Sequence, residues 1–443
     1  MPHAHKSISA LRGRLRSPRI RAGDILCAVS TARWRLILAA LACTGLAGGC
    51  TSPRSTPSAS SHRSTTSTAN PQASTTTSSV SATSGSVSAS ALSAGLEAIA
   101  CPSTADCLAV GAQGFGTPGH EIAAVSSDGG SLWASTAPLS GVTHLDAMAC
   151  PTPSSCLAVG SNLVGSSTEG VAVSTADGGH IWSTVSTLPS GVTQLKSVSC
   201  AITTSCMVVG TSTDEDRGVA FTTDVSGSTW NHLSLPDGQS DPSLVTCPTA
   251  RSCVIEGSDE SAVGDPSAGE HLSIITTSDG GTTWVRSTLP IGTSPGPPIY
   301  MGLTCSTPTR CFLVGDATPG DGSPSGLISA SSDAGQSWRV VPPPAGATFL
   351  NAIACPTSAN CVVVGGGIEA RGGSDQDILT TSDGGQTWVS RPVPAGVTGL
   401  SAVSCSTTVS CVAVGFGPSN SPSGIDPVVA ATSDSGATWT ALG

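Results

Sequence analysis

Thr381-Ser382-Asp383-Gly384-Gly385-Gln386-Thr387-Trp388 is one of seven near-copies of a single pattern. The others are Ser126 to Trp133, Thr175 to Trp182, Thr222 to Trp230, Thr277 to Trp284, Ser331 to Trp338 and Thr432 to Trp439. Each places an Asp (Asp128, Asp177, Asp224, Asp279, Asp333, Asp383, Asp434) five residues before a Trp (Trp133, Trp182, Trp230, Trp284, Trp338, Trp388, Trp439), or six in the third copy. Ser/Thr-x-Asp followed by Gly suits a tight hairpin turn: the carboxylate accepts from backbone N–H groups ahead of it, and Gly takes positive φ without strain. The Trp then opens the returning strand and packs over the turn.

A second pattern keeps step with the first. Fourteen of the 17 cysteines form seven pairs of identical C-x5-C spacing: Cys101/Cys107, Cys150/Cys156, Cys200/Cys206, Cys247/Cys253, Cys305/Cys311, Cys355/Cys361 and Cys405/Cys411. No His recurs with them, so they read as local disulfides and not zinc sites, which implies an oxidising compartment. Successive first cysteines are 49, 50, 47, 58, 50 and 50 residues apart. Each unit holds four strand-like pieces; in the sixth they are Leu350 to Cys355, Cys361 to Gly365, Asp377 to Ser382 and Thr387 to Arg391. We call them a to d. Four antiparallel strands recurring every 50 or so residues describe a propeller blade. The expected fold is therefore all-β, a seven-bladed β-propeller with one disulfide per blade and blades starting near 92, 142, 192, 241, 299, 347 and 397. No repeat is split, so the first and last blades cannot share a sheet. Closure then has to come from side-chain packing, an open array being the alternative.

The Ser/Thr-x-Asp-Gly…Trp copies resemble the Asp-box, or BNR repeat, of sialidases, sortilin-type receptors, some glycan hydrolases and the photosystem II assembly-factor propellers. The resemblance implies a structural turn away from any active face. Sialidases clamp a substrate carboxylate with three Arg and use a Tyr nucleophile assisted by Glu. Here only Arg217 and Arg371 fall on loops at the opposite end of the blades, and Tyr300 is the single Tyr. The sialidase set is absent. Over residues 92 to 443 the better resemblance is to the photosystem II assembly-factor propellers, which implies a non-enzymatic scaffold, although their basic Arg patch is not reproduced here.

Ahead of the repeats the composition changes twice. Seven Arg between Arg12 and Arg35 precede an apolar run from Leu36 to Leu46 and then Ala47-Gly48-Gly49-Cys50. This is a signal-peptide pattern whose ending resembles a bacterial lipobox, with Cys50 as the lipidated residue, and the run is short for a membrane span. Residues 51 to 90 are nearly all Ser, Thr, Ala, Pro and Gly and cannot bury a core, so they read as a disordered tether. The expected organisation is a signal region over 1–50, a tether over 51–90 and a propeller over 91–443. The protein is expected outside the cytoplasm as a membrane-anchored lipoprotein or, alternatively, secreted.

The formal charge of −11 is unevenly spread: from residue 91 on, eight Lys/Arg face 28 acids, a net −20. Nucleic-acid binding needs a basic surface and is disfavoured. If strand a runs downward, the disulfide turns and Asp turns share the bottom, and the variable b–c loops lie on top, where binding residues would be displayed on a rigid scaffold. Outside the Asp turns 21 carboxylates remain, 16 of them in or beside b–c loops. The candidate ligand-binding residues are Asp214, Glu215, Asp216, Asp259, Glu260, Asp316, Asp321, Glu369, Asp375 and Asp377. Strand a contributes a mixed set four residues before each first cysteine, namely Glu97, Asp146, Lys196, Ser243, Met301, Asn351 and Ser401, which either lines the channel mouth or is a solvated edge. The five repeat histidines (His120, His144, His180, His232, His271) sit at unrelated blade positions and read as surface residues. No catalytic, metal or cofactor motif stands out, and none is expected. The function expected is a monomeric binding or scaffold propeller for an envelope or extracellular protein or glycan. The alternative is a glycoside hydrolase using two loop carboxylates.

Overall fold

A computed structural model describes residues 95–442 apart from 113–120, 137–138, 140, 214–216, 260–270, 290–297, 318–324, 367–376 and 419–424. The chain divides into two units, 1–69 and 70–443. The first, with Cys50, lies outside the described residues, as does the whole of the expected tether. So do Asp214, Glu215, Asp216, Glu260, Asp321, Glu369 and Asp375.

The second unit is a seven-bladed β-propeller, and in every blade the strand order is the chain order. Blade one is β1 (Ala98–Ala100), β2 (Cys107–Ala112), β3 (Glu121–Ser126) and β4 (Ala134–Ser135). Blade two is β5 (His144–Ala149), β6 (Cys156–Val164), β7 (Ser167–Thr175) and β8 (Ser183–Thr184). Blade three is β9 (Val192–Ile202), β10 (Ser205–Ser212), β11 (Gly218–Thr223) and β12 (Asn231–Leu233). Blade four is β13 (Leu244–Thr246), β14 (Cys253–Asp259), β15 (His271–Thr277) and β16 (Val285–Thr288). Blade five is β17 (Ile299–Cys305), β18 (Cys311–Ala317), β19 (Ser325–Ser331) and β20 (Arg339–Val341). Blade six is β21 (Leu350–Ala354), β22 (Cys361–Gly365), β23 (Ile378–Thr381) and β24 (Val389–Ser390). Blade seven is β25 (Gly399–Cys405), β26 (Cys411–Pro418), β27 (Ile425–Thr432) and β28 (Thr440–Leu442). All neighbouring strands are antiparallel. The first strand of each blade neighbours that of the next around a closed circle, β25 returning to β1, so strand a is innermost.

All seven cysteine pairs are disulfides joining strands a and b. The second cysteine of each pair (Cys107, Cys156, Cys206, Cys253, Cys311, Cys361, Cys411) is buried, whereas Cys150, Cys200, Cys305, Cys355 and Cys405 are partly exposed. In six blades strand b opens on that cysteine, as the spacing predicts. Blade three differs: β10 opens at Ser205, and Cys206 is its second residue. There the ladder runs on past the Cys200–Cys206 bridge to one further pair, Ser205 with Ile202, which lengthens both strands toward the bottom.

In six Asp turns the leading Ser or Thr hydroxyl donates to the Asp, 2.8 Å in blade six, and accepts from the N–H of the second Gly, 3.0 Å from Gly385 to Thr381. Blade three, with its extra residue, departs here too: Asp224 accepts from Ser226 and Ser228 instead. The residue after each Asp donates its N–H to a carbonyl in the disulfide turn of its own blade, at 2.8–3.0 Å in all seven. Both turns therefore share one end, the bottom, and are stitched together there.

The Asp turn also joins blades. Gly385 has φ +75°, and a Cβ placed on it would lie 2.3 Å from the ring of Phe312 in blade five. Its counterpart in blade one, Gly130, sits against Val412 of blade seven. That contact belongs to the closure: Leu96, Ile99 and Trp133 pack with Val412, Val414 and Val429 in one core cluster. Cys101 N–H donates to Ser404 Oγ at 2.9 Å, the same bond that Cys247 makes to Ser199 between blades four and three. The ring closes without a shared sheet because the seventh-to-first interface is built like the others.

Candidate functional site

Repetition holds at the bottom and breaks at the top of the innermost strands. In β5, Leu145 pairs with Gly160 and Ala147 with Val159, leaving Asp146 between them as a bulge. The same one-residue slip leaves Lys196 in β9, Met301 in β17, Asn351 in β21 and Ser401 in β25. Glu97 and Ser243 occupy the equivalent place just ahead of β1 and β13, donating N–H to Val110 and Glu256 carbonyls at 2.9 Å. A bulge re-aims a side chain out of the ladder. It also presses the strand onto its neighbour: a Cβ on Gly160 would stand 2.0 Å from the His144 carbonyl, and one on Gly365 1.8 Å from that of Phe349. This explains the glycine four residues after the second cysteine of every blade.

Six of the seven side chains are partly exposed, while Ser243 is buried and donates its hydroxyl to Glu256, and contacts at this level cross between blades. Gln194 Nε2 donates to Asp146 Oδ2 at 3.1 Å, Lys196 pairs with Asp241, and Asn351 Nδ2 donates to the Leu400 carbonyl at 2.9 Å. Among the described residues at this level, blades one to four carry Glu97, Asp146, Lys196 and Asp241, and the inner strands of blades five to seven carry Ile299, Met301, Phe349, Asn351 and Ser401, with Asp316 paired opposite Ile299.

The densest chemistry lies between blades one and two. His144 places Nδ1 3.4 Å from Glu97 Oε2 and 3.6 Å from Glu121 Oε1, and Nε2 3.2 Å from Asp146 Oδ1. Glu121, first residue of β3, is fully buried; its Oε1 accepts the Leu145 N–H at 3.0 Å and its Oε2 has no partner. Burial alone would lower the imidazole pKa, but hydrogen bonds to Asp146 and Glu121 and the charge of Glu97 push it up to about 11. That direction favours the imidazolium form. Burial raises Glu97 to about 7 against the pull of His144, with Glu121 and Asp146 adding to the rise. Glu121 is raised as well, by burial, despite the hydrogen bonds it accepts.

Of the predicted loop carboxylates, three are described and they sit on three different blades. Asp259 pairs with Arg286, which also donates to the Asp237 carbonyl at 2.8 Å. Asp377 is buried and accepts the Thr348 N–H at 2.8 Å. Asp316 makes no such bond, and burial raises it to about 6. His144, read from the sequence as a surface histidine, instead joins three carboxylates. The available signal was that His144 and Asp146 lie two apart on the inner strand beside Glu97; Glu121 gave none, being the last residue of a variable loop. At the bottom, Asp106, Asp128, Asp177 and His180 line an open cleft between blades one and two. No group of His, Cys, Asp and Glu suited to a metal ion occurs among the described residues.

A family model described as the DUF6242 beta propeller domain matches residues 106–295, which is less than half of the chain. Among solved structures, one titled "YCF48 bound to D1 peptide" is similar at 15% identity and a TM-score of 0.52, covering 79% of this chain and 96% of that one. A GH74 xyloglucanase from Xanthomonas campestris is similar at 14% identity and a TM-score of 0.50, covering 80% of this chain. This chain spans 54% of the xyloglucanase's length. At such identities the likeness is one of fold. No curated protein matches the chain.

Proposed function

We propose that this is a binding propeller outside the cytoplasm, tethered by residues 51–90 to a lipid on Cys50, whose top end receives a segment of an envelope or extracellular protein or a glycan. The seven turns are Asp-boxes in this reading, serving as the scaffold, and the protein works as a monomer. One observation carries it: the bottom turns repeat one hydrogen bond in all seven blades, while the bulge at the top holds a different side chain in nearly every blade. A uniform end builds the ring, and a varied end on a rigid frame discriminates ligands. The peptide-bound YCF48 structure supports a peptide as ligand for this kind of propeller. The test is isolation of the intact protein from the envelope of its producing cell through a C-terminal tag, with co-purifying proteins and sugars read by mass spectrometry. The expected result is a reproducible partner that is lost when Glu97, Asp146 and Asp241 are neutralised together. A partner unaffected by that triple change refutes the top-end reading.

A second reading, a glycoside hydrolase, is favoured by Glu97 and Asp316, because carboxyls raised to about 7 and about 6 suit a general acid. Against it, the imidazole of His144 lies between Glu97 and Asp146, in the space a scissile bond and its water need. Turnover of any polysaccharide that Glu97→Gln abolishes would establish the hydrolase.

A further inference from the structure

We propose that Glu97, Glu121 and Asp146 form a seat for a primary ammonium group, that of a lysine side chain on a partner segment, and that His144 is the protein's own stand-in for it. The inference rests on the binding reading above and names the chemistry of its ligand.

The argument is a count of donors and charge. Three carboxylates present six oxygens. Four donors face them: the two N–H groups of His144, the Leu145 N–H and the Gln194 amide. Nδ1 carries one hydrogen for two carboxylates, Glu97 and Glu121, and both distances, 3.4 and 3.6 Å, exceed the usual 2.7–2.9 Å of a charge-assisted bond. Glu121 Oε2 is buried with no partner at all. A buried carboxylate oxygen left without a donor is costly, and such groups mark sites that a ligand completes. One imidazole among three carboxyl groups leaves the cluster short of positive charge, in keeping with the upward shift of Glu97 and Glu121.

An ammonium supplies what is missing. It brings three rotatable donors where imidazolium brings two, and its tetrahedral head can reach carboxylates arriving from three separate elements; a planar guanidinium is suited to two oxygens in one plane. His144 is the most exposed member, at 33% of its side chain, against 20% for Asp146, 16% for Glu97 and none for Glu121. In this proposal the incoming ammonium displaces the imidazole to reach Glu121. The apolar side chains Ile299, Met301 and Phe349 of the inner strands are left to the apolar remainder of the segment.

The test uses the whole protein and three probes, Nα-acetyl-lysine methylamide, its norleucine analogue and cadaverine, titrated by calorimetry and by the nitrogen resonances of His144. The lysine probe should bind about tenfold or more tighter than norleucine and shift the His144 signals. Glu121→Gln should weaken it by about tenfold, whereas His144→Ala should tighten it by a similar factor because no internal cation then needs displacing. Thermal unfolding and circular dichroism verify that both variants fold; should one not fold, the norleucine comparison in the wild type still decides. Equal binding of lysine and norleucine, or undiminished binding in folded Glu121→Gln, overturns the inference. Cadaverine binding as well as the lysine probe upholds the seat and identifies a free amine as its occupant. Capture of one protein partner by the wild type and Glu121→Gln alike overturns the seat and leaves the binding propeller standing.

Discussion

Replacing Gly160 with Ala should damage fold and site together. The added Cβ would meet the His144 carbonyl at 2.0 Å and Leu145 Cα at 2.7 Å, both backbone atoms that cannot rotate aside. Overpacking costs about 1–3 kcal/mol even when side chains can yield, so a backbone clash belongs at about 3 kcal/mol or above. For a unit of about 350 residues the unfolding entropy is roughly 0.7 kcal/mol per kelvin, so that cost lowers Tm by about 4 °C. Two comparisons isolate the cause. Gly396 has φ +85° and nothing within 4 Å of its absent Cβ, so Gly396→Ala carries backbone strain alone, about 1–2 kcal/mol. Gly365→Ala reproduces the clash, at 1.8 Å from the Phe349 carbonyl, in blade six and away from His144. Chemical denaturation under oxidising conditions should rank Gly160→Ala and Gly365→Ala together and well below Gly396→Ala in stability. Titration of the imidazole resonances should then show His144 falling from about 11 toward its ordinary 6.5 in Gly160→Ala only. If Gly160→Ala costs no more than Gly396→Ala, or leaves the His144 titration unchanged, the close strand approach is not what holds the mouth together.

Further outcomes follow from the same contacts. Ala334 occupies, at φ +63°, the turn position filled by Gly384 in blade six, so Ala334→Gly should stabilise by about 0.5–1 kcal/mol in denaturant melts. Asp279 and Asp434 are held down to about 2, first by the Thr283 and Thr438 hydroxyls and then by the N–H groups of the same residues. Because these folded values lie below the unfolded one, their support is complete above about pH 4 and is lost as pH falls toward 2; Asp434→Asn should flatten that acid limb. Glu97 is shifted the other way, from 4.5 to about 7, so its contribution is full below about pH 4.5 and disappears as pH rises through 7. Glu97→Gln should remove that loss, which is on the order of 1–3 kcal/mol, from stability curves measured between pH 5 and 8. Removing the blade-six disulfide by Cys355→Ala with Cys361→Ala should cost about 2 kcal/mol, as its short loop implies, without opening the ring.

In the sixth blade the two inner strands were readable almost to the residue, β22 spanning Cys361–Gly365 and β21 stopping one short of Cys355, whereas the outer strand expected over Thr387 to Arg391 spans only Val389–Ser390. Those segments are set by neighbours within one blade, and the disulfide and Asp turn tie them locally. The mouth was legible only in part. Glu97, Asp146 and Lys196 could be placed at one level of the inner strands, but a one-residue bulge decides whether that level points along the ladder or into the channel, and no residue type announces it. Asp259 and Asp377 stood out in the sequence as exposed acids, yet Arg286 and the backbone of Thr348 engage them.

By itself the sequence determined seven blades, their strands, their disulfides and the end at which variation accumulates, because each of these follows from short-range pattern repeated at a fixed period. Only the tertiary structure decided how blade one meets blade seven and that His144 lies among Glu97, Glu121 and Asp146. Those facts depend on residues from different blades brought together by closure of the ring. A periodic sequence specifies each unit, but which departures from the period meet in space is settled only when the units pack.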